Sequence, residues 1–102
     1  GQSSYAAAKE GIRGMTRVAA TEWGPDGVRA NVICPLAMTE QLAAWKEEYP
    51  EPFAATIKGI PLGRFGDPKT DIAPVAVFLA SDMAFYVSGE TITIQGGSGL
   101  RP

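Results

Sequence analysis

Tyr5 and Lys9 are the residues whose types and spacing most directly suggest chemistry. Side chains four positions apart on a helix share one face, a turn from each other. An ammonium held there would favour the tyrosinate, and the pair could act as proton donor and acceptor. This matters because the chain contains no His. The commonest general base is therefore missing, and catalysis must draw on Tyr, Lys, Asp, Glu or Ser. Spacing alone also admits a surface Lys beside a half-buried Tyr with no chemistry at all. Glu47, Glu48 and Glu51 cluster, but as a solvated acidic face rather than a catalytic dyad. The single cysteine, Cys34, cannot form an internal disulfide, and without His there is no ligand set for a structural zinc. At a strand end, with no adjacent cation, it reads as a small buried hydrophobe.

The pair needs a helix to hold it. From Ser4, the residues Ala8, Ile12, Met15, Ala19 and Trp23 recur at spacings of three and four, the stripe of an amphipathic helix ending near Trp23 at Gly24-Pro25. Ser3 or Ser4 is placed to cap its start. Ala7, Gly11, Gly14 and Val18 form a second row, and two interior glycines suggest close approach by another helix or backbone.

Val28–Cys34 is rich in β-branched residues and bounded by Gly27 and Pro35, which predicts a parallel strand covered on both faces. Thr39 can cap a short helix through about Glu48, interrupted by Pro50 and Pro52. A second short helix is expected over Phe53–Lys58. Ile60–Pro68 reads as loop and Ile72–Leu79 as helix, with Asp71 as its N-cap because Pro74 conflicts with one continuous helix from Pro68. Thr91–Ile94 alternates as a strand, and Gly96–Gly99 is read as a tail. With no helix after it, that Gly-rich stretch is a poor phosphate cradle. Two parallel strands cannot make an independently stable sheet, so these elements look like the back half of a larger α/β domain or a piece that borrows strands from a partner.

Composition sets the outer bounds. The 102 residues, 45% of them apolar and 20% charged, suffice for one domain at most, or part of one. The formal charge is −2 with no basic run, which argues against a nucleic-acid partner. The apolar stretches are too short to cross a bilayer, so no membrane association is expected. One cysteine fits a reducing compartment, and the chain reads as soluble and cytoplasmic. The start at Gly1 without Met suggests a fragment or processed product.

Five ordered blocks carry a family resemblance: Ser4-Tyr5-Ala6-Ala7-Ala8-Lys9-Glu10-Gly11-Ile12; Val28-Arg29-Ala30-Asn31-Val32-Ile33-Cys34-Pro35; Pro61-Leu62-Gly63-Arg64-Phe65-Gly66-Asp67-Pro68; Phe78-Leu79-Ala80-Ser81-Asp82; and Gly89-Glu90-Thr91-Ile92-Thr93-Ile94-Gln95-Gly96-Gly97. Together they closely resemble the C-terminal part of short-chain dehydrogenases/reductases, over essentially the whole chain. The resemblance implies α/β architecture, the C-terminal part of a Rossmann-like doubly wound parallel sheet. Residues 1–102 would form part of a single domain, with its N-terminal dinucleotide-binding half absent.

The resemblance also implies roles. Tyr5 looks like the family's catalytic tyrosine, exchanging its phenolic proton with a carbonyl or alcohol oxygen as hydride moves. Lys9 would support Tyr5 and hydrogen-bond the nicotinamide ribose, so both residues would touch the cofactor, NAD or NADP. Pro35, Leu36, Met38 and Thr39 resemble the loop bordering the nicotinamide. Leu36 stands where the family usually has Gly, and Thr39 lies one position closer to the proline than the usual Thr, so Thr39 either contacts cofactor or simply caps the next helix. Trp45 and Tyr49, with Phe53, fall in the region resembling the family's substrate-covering helices and either line an apolar pocket or pack the helix pair onto the sheet.

The expected reaction is hydride transfer between a small-molecule carbonyl and a secondary alcohol by a homo-oligomer, dimer or tetramer, associating through the small-residue face of the first helix. The competing expectation is a noncatalytic truncated chain or association module. The Gly-rich phosphate-binding turn, the family's catalytic Ser and its Asn have no counterpart in these residues.

Overall fold

The computed structural model describes residues 1–99; the last three positions of the expected domain, 100–102, lie outside them. The described chain runs α1 (Ser3–Trp23), β1 (Val32–Pro35), α2 (Glu40–Glu48), α3 (Pro50–Lys58), α4 (Ala73–Ala80) and β2 (Thr91–Ile94). β1 and β2 pair in one two-stranded sheet. The Val32 amide donates to Glu90 O and the Leu36 amide to Ile94 O, a constant offset that makes the pairing parallel. The expected α/β class and parallel strand pairing therefore hold.

Two compact units can be distinguished, one comprising Gly1–Ile33 with Phe78–Ile92, the other Cys34–Val77 with the residues from Thr93 onward. In the first, α1 begins at Ser3 with Gln2 before it, and no side chain caps it. Ser3 and Ser4 thus lie inside the helix instead of capping it. Gly27, at φ +78°, closes the chain after α1, its amide donating to Gly24 O. The stripe expected to be buried lies largely open, with Ile12, Met15 and Trp23 all exposed. Beyond the helix's own backbone, no atom of the described residues approaches within 4 Å of where a Cβ would stand on Gly11 or Gly14, so the close neighbour expected for that row is not among them.

The strand expected over Val28–Cys34 is shorter at its start. The Val28 amide turns back to Trp23 O, the Ala30 amide donates to Ser88 Oγ, and Arg29 and Asn31 send side chains to carbonyls of Ser81 and Val87. The one backbone bond here, from the Gly89 amide to Ala30 O, is mixed with these side-chain bonds, and regular pairing starts only at Val32. The buried residues of this unit are Leu79 and Ala84.

In the second unit the core consists of Phe53, Ile60 and Phe65, against which Leu36, Met38, Leu42, Trp45 and Ile57 pack. Thr39 caps α2 as expected, its hydroxyl accepting from the Leu42 amide at 3.1 Å, a contact typically contributing about 1 kcal/mol. α2 ends at Glu48 as expected, and the second helix begins earlier than Phe53, because Pro50 opens α3. In the first turn, where amides have no intrahelical acceptor, neither Pro50 nor Pro52 costs a bond.

Pro74 also resolves differently from the sequence expectation. Asp67, not Asp71, is the cap, its carboxylate accepting from the Lys69 and Thr70 amides. The chain then makes one wide turn over Pro68–Ile72, with Ile72 N–H reaching Asp67 O and Ala73 N–H reaching Pro68 O, before α4. Five-residue spacing gives the Pro74 ring room where a regular helix would press it against the preceding turn.

No helix among the described residues is long and apolar enough to cross a membrane.

Candidate functional site

Tyr5 and Lys9 lie in the first turns of α1, both exposed, and Tyr5 is 63% accessible. The helix brings them together as the spacing requires, with Lys9 Nζ 5.3 Å from the Tyr5 ring centroid. Within the described residues neither the phenol oxygen nor the ammonium makes a hydrogen bond. Both polar groups are thus available to a ligand, and the cation already stands beside the ring it would polarise.

The segment Pro35–Thr39 belongs to the second unit. Pro35 ends β1 and is exposed, while Leu36 and Met38 are half-buried against the Phe53, Ile60 and Phe65 core. Its course is fixed by Gly66. The Gly66 amide donates to Leu36 O at 2.9 Å, the Met38 amide donates to Gly66 O at 2.8 Å, and Ala37 and Gly66 form an isolated parallel bridge. The Thr39 hydroxyl accepts from α2 and keeps its own proton free to donate.

Trp45 is half-buried and meets Phe53 edge-on at 5.8 Å between centroids, and Phe53 in turn meets Phe65 at 5.6 Å. Trp45 therefore helps build the core between α2 and α3. Tyr49 joins those helices and is half exposed; its amide donates to Trp45 O and its carbonyl accepts from Phe53. Cys34 is half-buried, not enclosed as expected, with a free thiol; its carbonyl accepts from Gln95 Nε2 at 3.1 Å. Among the described residues no cluster of His, Cys, Asp or Glu could hold a metal.

Sequence reasoning missed the polar assembly around Gly66. Asp71 takes Arg64 Nη1 on one carboxylate oxygen and Arg64 Nη2 on the other, the latter at 3.1 Å. It also accepts the Asp67 amide at 2.6 Å. Those donors, the Arg64 side chain first, hold the Asp71 carboxyl down to about 2 from the usual 3.8, and the Asp71 carboxylate in turn raises the Arg64 guanidinium above its ordinary value. The available signal was a lone Arg and a lone Asp either side of a Gly-Asp-Pro turn, without helical or strand periodicity to relate them.

These residues match known proteins throughout. A family model described as enoyl-(acyl carrier protein) reductase matches residues 1–99. The chain is 60% identical to a 12alpha-hydroxysteroid dehydrogenase of a Clostridium species over 102 residues, all of this chain and 39% of that protein. A solved oxidoreductase of the short-chain dehydrogenase/reductase family from Burkholderia thailandensis is similar with a TM-score of 0.84 at 38% identity, covering 96% of this chain and 39% of that one. The Pseudomonas aeruginosa RhlG/NADP active-site complex gives 0.82 at 28% identity over 96% of this chain and 39% of that one. The chain thus spans about two-fifths of the proteins it resembles. With the five sequence blocks, the parallel β1–β2 pair and the Tyr5–Lys9 helix all agreeing, the chain belongs to the short-chain dehydrogenase/reductase family.

Proposed function

We propose that this chain is the C-terminal part of an NAD(P)-dependent oxidoreductase interconverting a secondary alcohol and a ketone, with a steroid alcohol as the substrate class. The observation that carries the reading is the Tyr5–Lys9 pair, exposed and uncommitted at 5.3 Å, in a chain 60% identical to a 12alpha-hydroxysteroid dehydrogenase. Each unit taken by itself carries residue types suited to the nicotinamide end of the dinucleotide. Lys9 supplies an ammonium for the ribose hydroxyls, Tyr5 a phenol beside it, and Pro35, Leu36, Met38 and Thr39 a loop to border the nicotinamide. No Gly-rich turn for the pyrophosphate occurs among the 102 residues.

When bound, the nicotinamide supplies or accepts the hydride. Tyr5 does the proton chemistry, donating from its hydroxyl to the oxygen of a carbonyl being reduced, or receiving the alcohol proton in the reverse direction. Lys9 stabilises the phenolate left on Tyr5 by its charge. Trp45 acts by supporting the α2–α3 pair, whereas Tyr49, exposed at their junction, is available to contact an apolar substrate. The whole protein is read as a cytoplasmic homo-oligomer, a dimer or tetramer, with the open Gly11–Gly14 face of α1 toward a second copy.

Tyr5→Phe in the full-length protein tests the reading. Turnover of a steroid alcohol, followed by reduced-nicotinamide absorbance, is expected to fall by at least about a hundredfold. Cofactor affinity, followed by fluorescence titration, should barely change. Undiminished turnover would reject it.

A further inference from the structure

The segment Pro35–Thr39 runs from the end of β1 to the cap of α2, and besides the Leu36 amide's bond to Ile94 O its backbone is held at Gly66. Gly66 grips it from both sides, donating to Leu36 O and accepting from the Met38 amide. A methyl group on Gly66 would stand 3.3 Å from Leu36 O and 3.5 Å from Asp71 Cβ, so contact is close with both the segment and the carboxylate residue beyond. Behind the grip is a cavity of about 140 Å³ whose lining includes Leu36, Arg64, Gly66, Asp71 and Ile72. Apolar packing is therefore incomplete on that side, where Ile72 Cδ1 stands 3.3 Å from the same methyl position, and the hydrogen bonds around Gly66 add to that contact in setting its place.

Those bonds converge on one residue. Arg64, two positions before Gly66, binds both carboxylate oxygens of Asp71. Asp67, immediately after Gly66, donates its amide to the same carboxylate and caps the turn that carries Asp71 through the Lys69 and Thr70 amides. The turn from Arg64 to Asp67 is thus closed on both flanks of Gly66 by Asp71. Bidentate guanidinium–carboxylate pairs are directional as well as strong. This one fixes where the turn, and hence its glycine, stands.

We propose that Arg64 and Asp71 are positioning residues for the nicotinamide end of the cofactor, acting through Gly66 on the Leu36–Met38 backbone. The inference rests on the function proposed above. It does not require either side chain to touch cofactor or substrate. Loosening the pair frees the segment to shift toward the cavity behind it, and the cost falls on the group the segment borders.

The test compares two ligands on the full-length protein: the dinucleotide that the wild type binds, and the corresponding ADP-ribose, which lacks only the nicotinamide. Arg64→Met is expected to weaken the dinucleotide about fivefold or more, the equivalent of roughly 1 kcal/mol, while leaving ADP-ribose unchanged. Asp71→Asn, a milder variant that retains an acceptor for the Asp67 amide, should show the same selectivity at smaller size. Arg64→Lys, keeping the charge but losing the fork, should fall between wild type and Arg64→Met. Equal weakening of both ligands, or of neither, would overturn the inference. A wild-type protein that binds no dinucleotide would overturn the functional reading and the inference together, whereas normal wild-type binding with unaltered variants sinks the positioning role alone.

Discussion

Lys9 Nζ stands 5.3 Å from the centroid of the Tyr5 ring, one turn further along α1. The helix alone sets this relationship, since neither side chain is held by another part of the described chain. Lys9→Met removes the ammonium while keeping much of the side chain's length. Turnover and cofactor affinity in the full-length protein are both expected to fall, because in the proposed function one group serves the ribose and the phenolate. Steady-state rates combined with a titration of reduced cofactor check this; slowed turnover at wild-type affinity would contradict the ribose role.

Asp71 makes the turn around Gly66 sensitive to acid. Its carboxyl is held at about 2 in the fold against the usual 3.8, so the folded state binds the proton less readily than the unfolded one. The stabilisation is fully present above about pH 4. It is lost as pH falls toward 2. Amide hydrogen exchange at Asp67, whose N–H donates to the Asp71 carboxylate, should accelerate over that window beyond the intrinsic pH dependence, and Asp71→Asn should abolish the excess.

At Gly27 the backbone, not space, limits substitution. Its φ is +78° and nothing lies within 4 Å of a Cβ built there. Gly27→Ala is expected to cost about 1 kcal/mol from the left-handed conformation alone. Gly27→Asn should cost less, since Asn tolerates that region. Urea denaturation of the full-length variants measures the difference.

These cases show what the sequence made legible. α1, the Thr39 cap, the Thr91–Ile94 strand and the Tyr5–Lys9 pair all follow from local spacing or side-chain chemistry. Val28–Asn31 has strand composition, yet Arg29 and Asn31 find carbonyl partners far along the chain, and with a single backbone bond at Ala30 no regular ladder forms there. Asp71 was misjudged because a carboxylate three residues before a proline resembles a cap, whereas its donors come from Arg64 and Asp67. The wide turn before Pro74 likewise depends on a hydrogen-bond pattern that residue types do not announce.

Oligomerisation through α1 has a direct test. Gly14 has no neighbour within 4 Å of its Cβ position, so a larger residue there is tolerated by this chain itself. Gly14→Leu in the full-length protein should shift sedimentation toward smaller species if a second helix packs on that face. An unchanged oligomer would show that association uses another surface.

The 102-residue chain by itself is expected to bind neither NAD(H) nor NADP(H) measurably. It contains no Gly-rich turn for the pyrophosphate. Calorimetric titration with all four cofactor forms checks this, and micromolar binding would require a pyrophosphate site of another kind.

The pairing of β1 with β2 also bears on the order of folding. The β1 region finds partners 58 residues later at Ser88 and 61 residues later at Gln95. During synthesis β1 therefore emerges well before the strand that covers this edge, while α2, α3 and α4 can form locally. Contacts of such long sequence separation close late and slow the search. Until β2 arrives, the Val32–Pro35 edge has unpaired backbone groups open to another chain. The arrival of β2 thus determines when this edge stops being a hazard to the nascent protein.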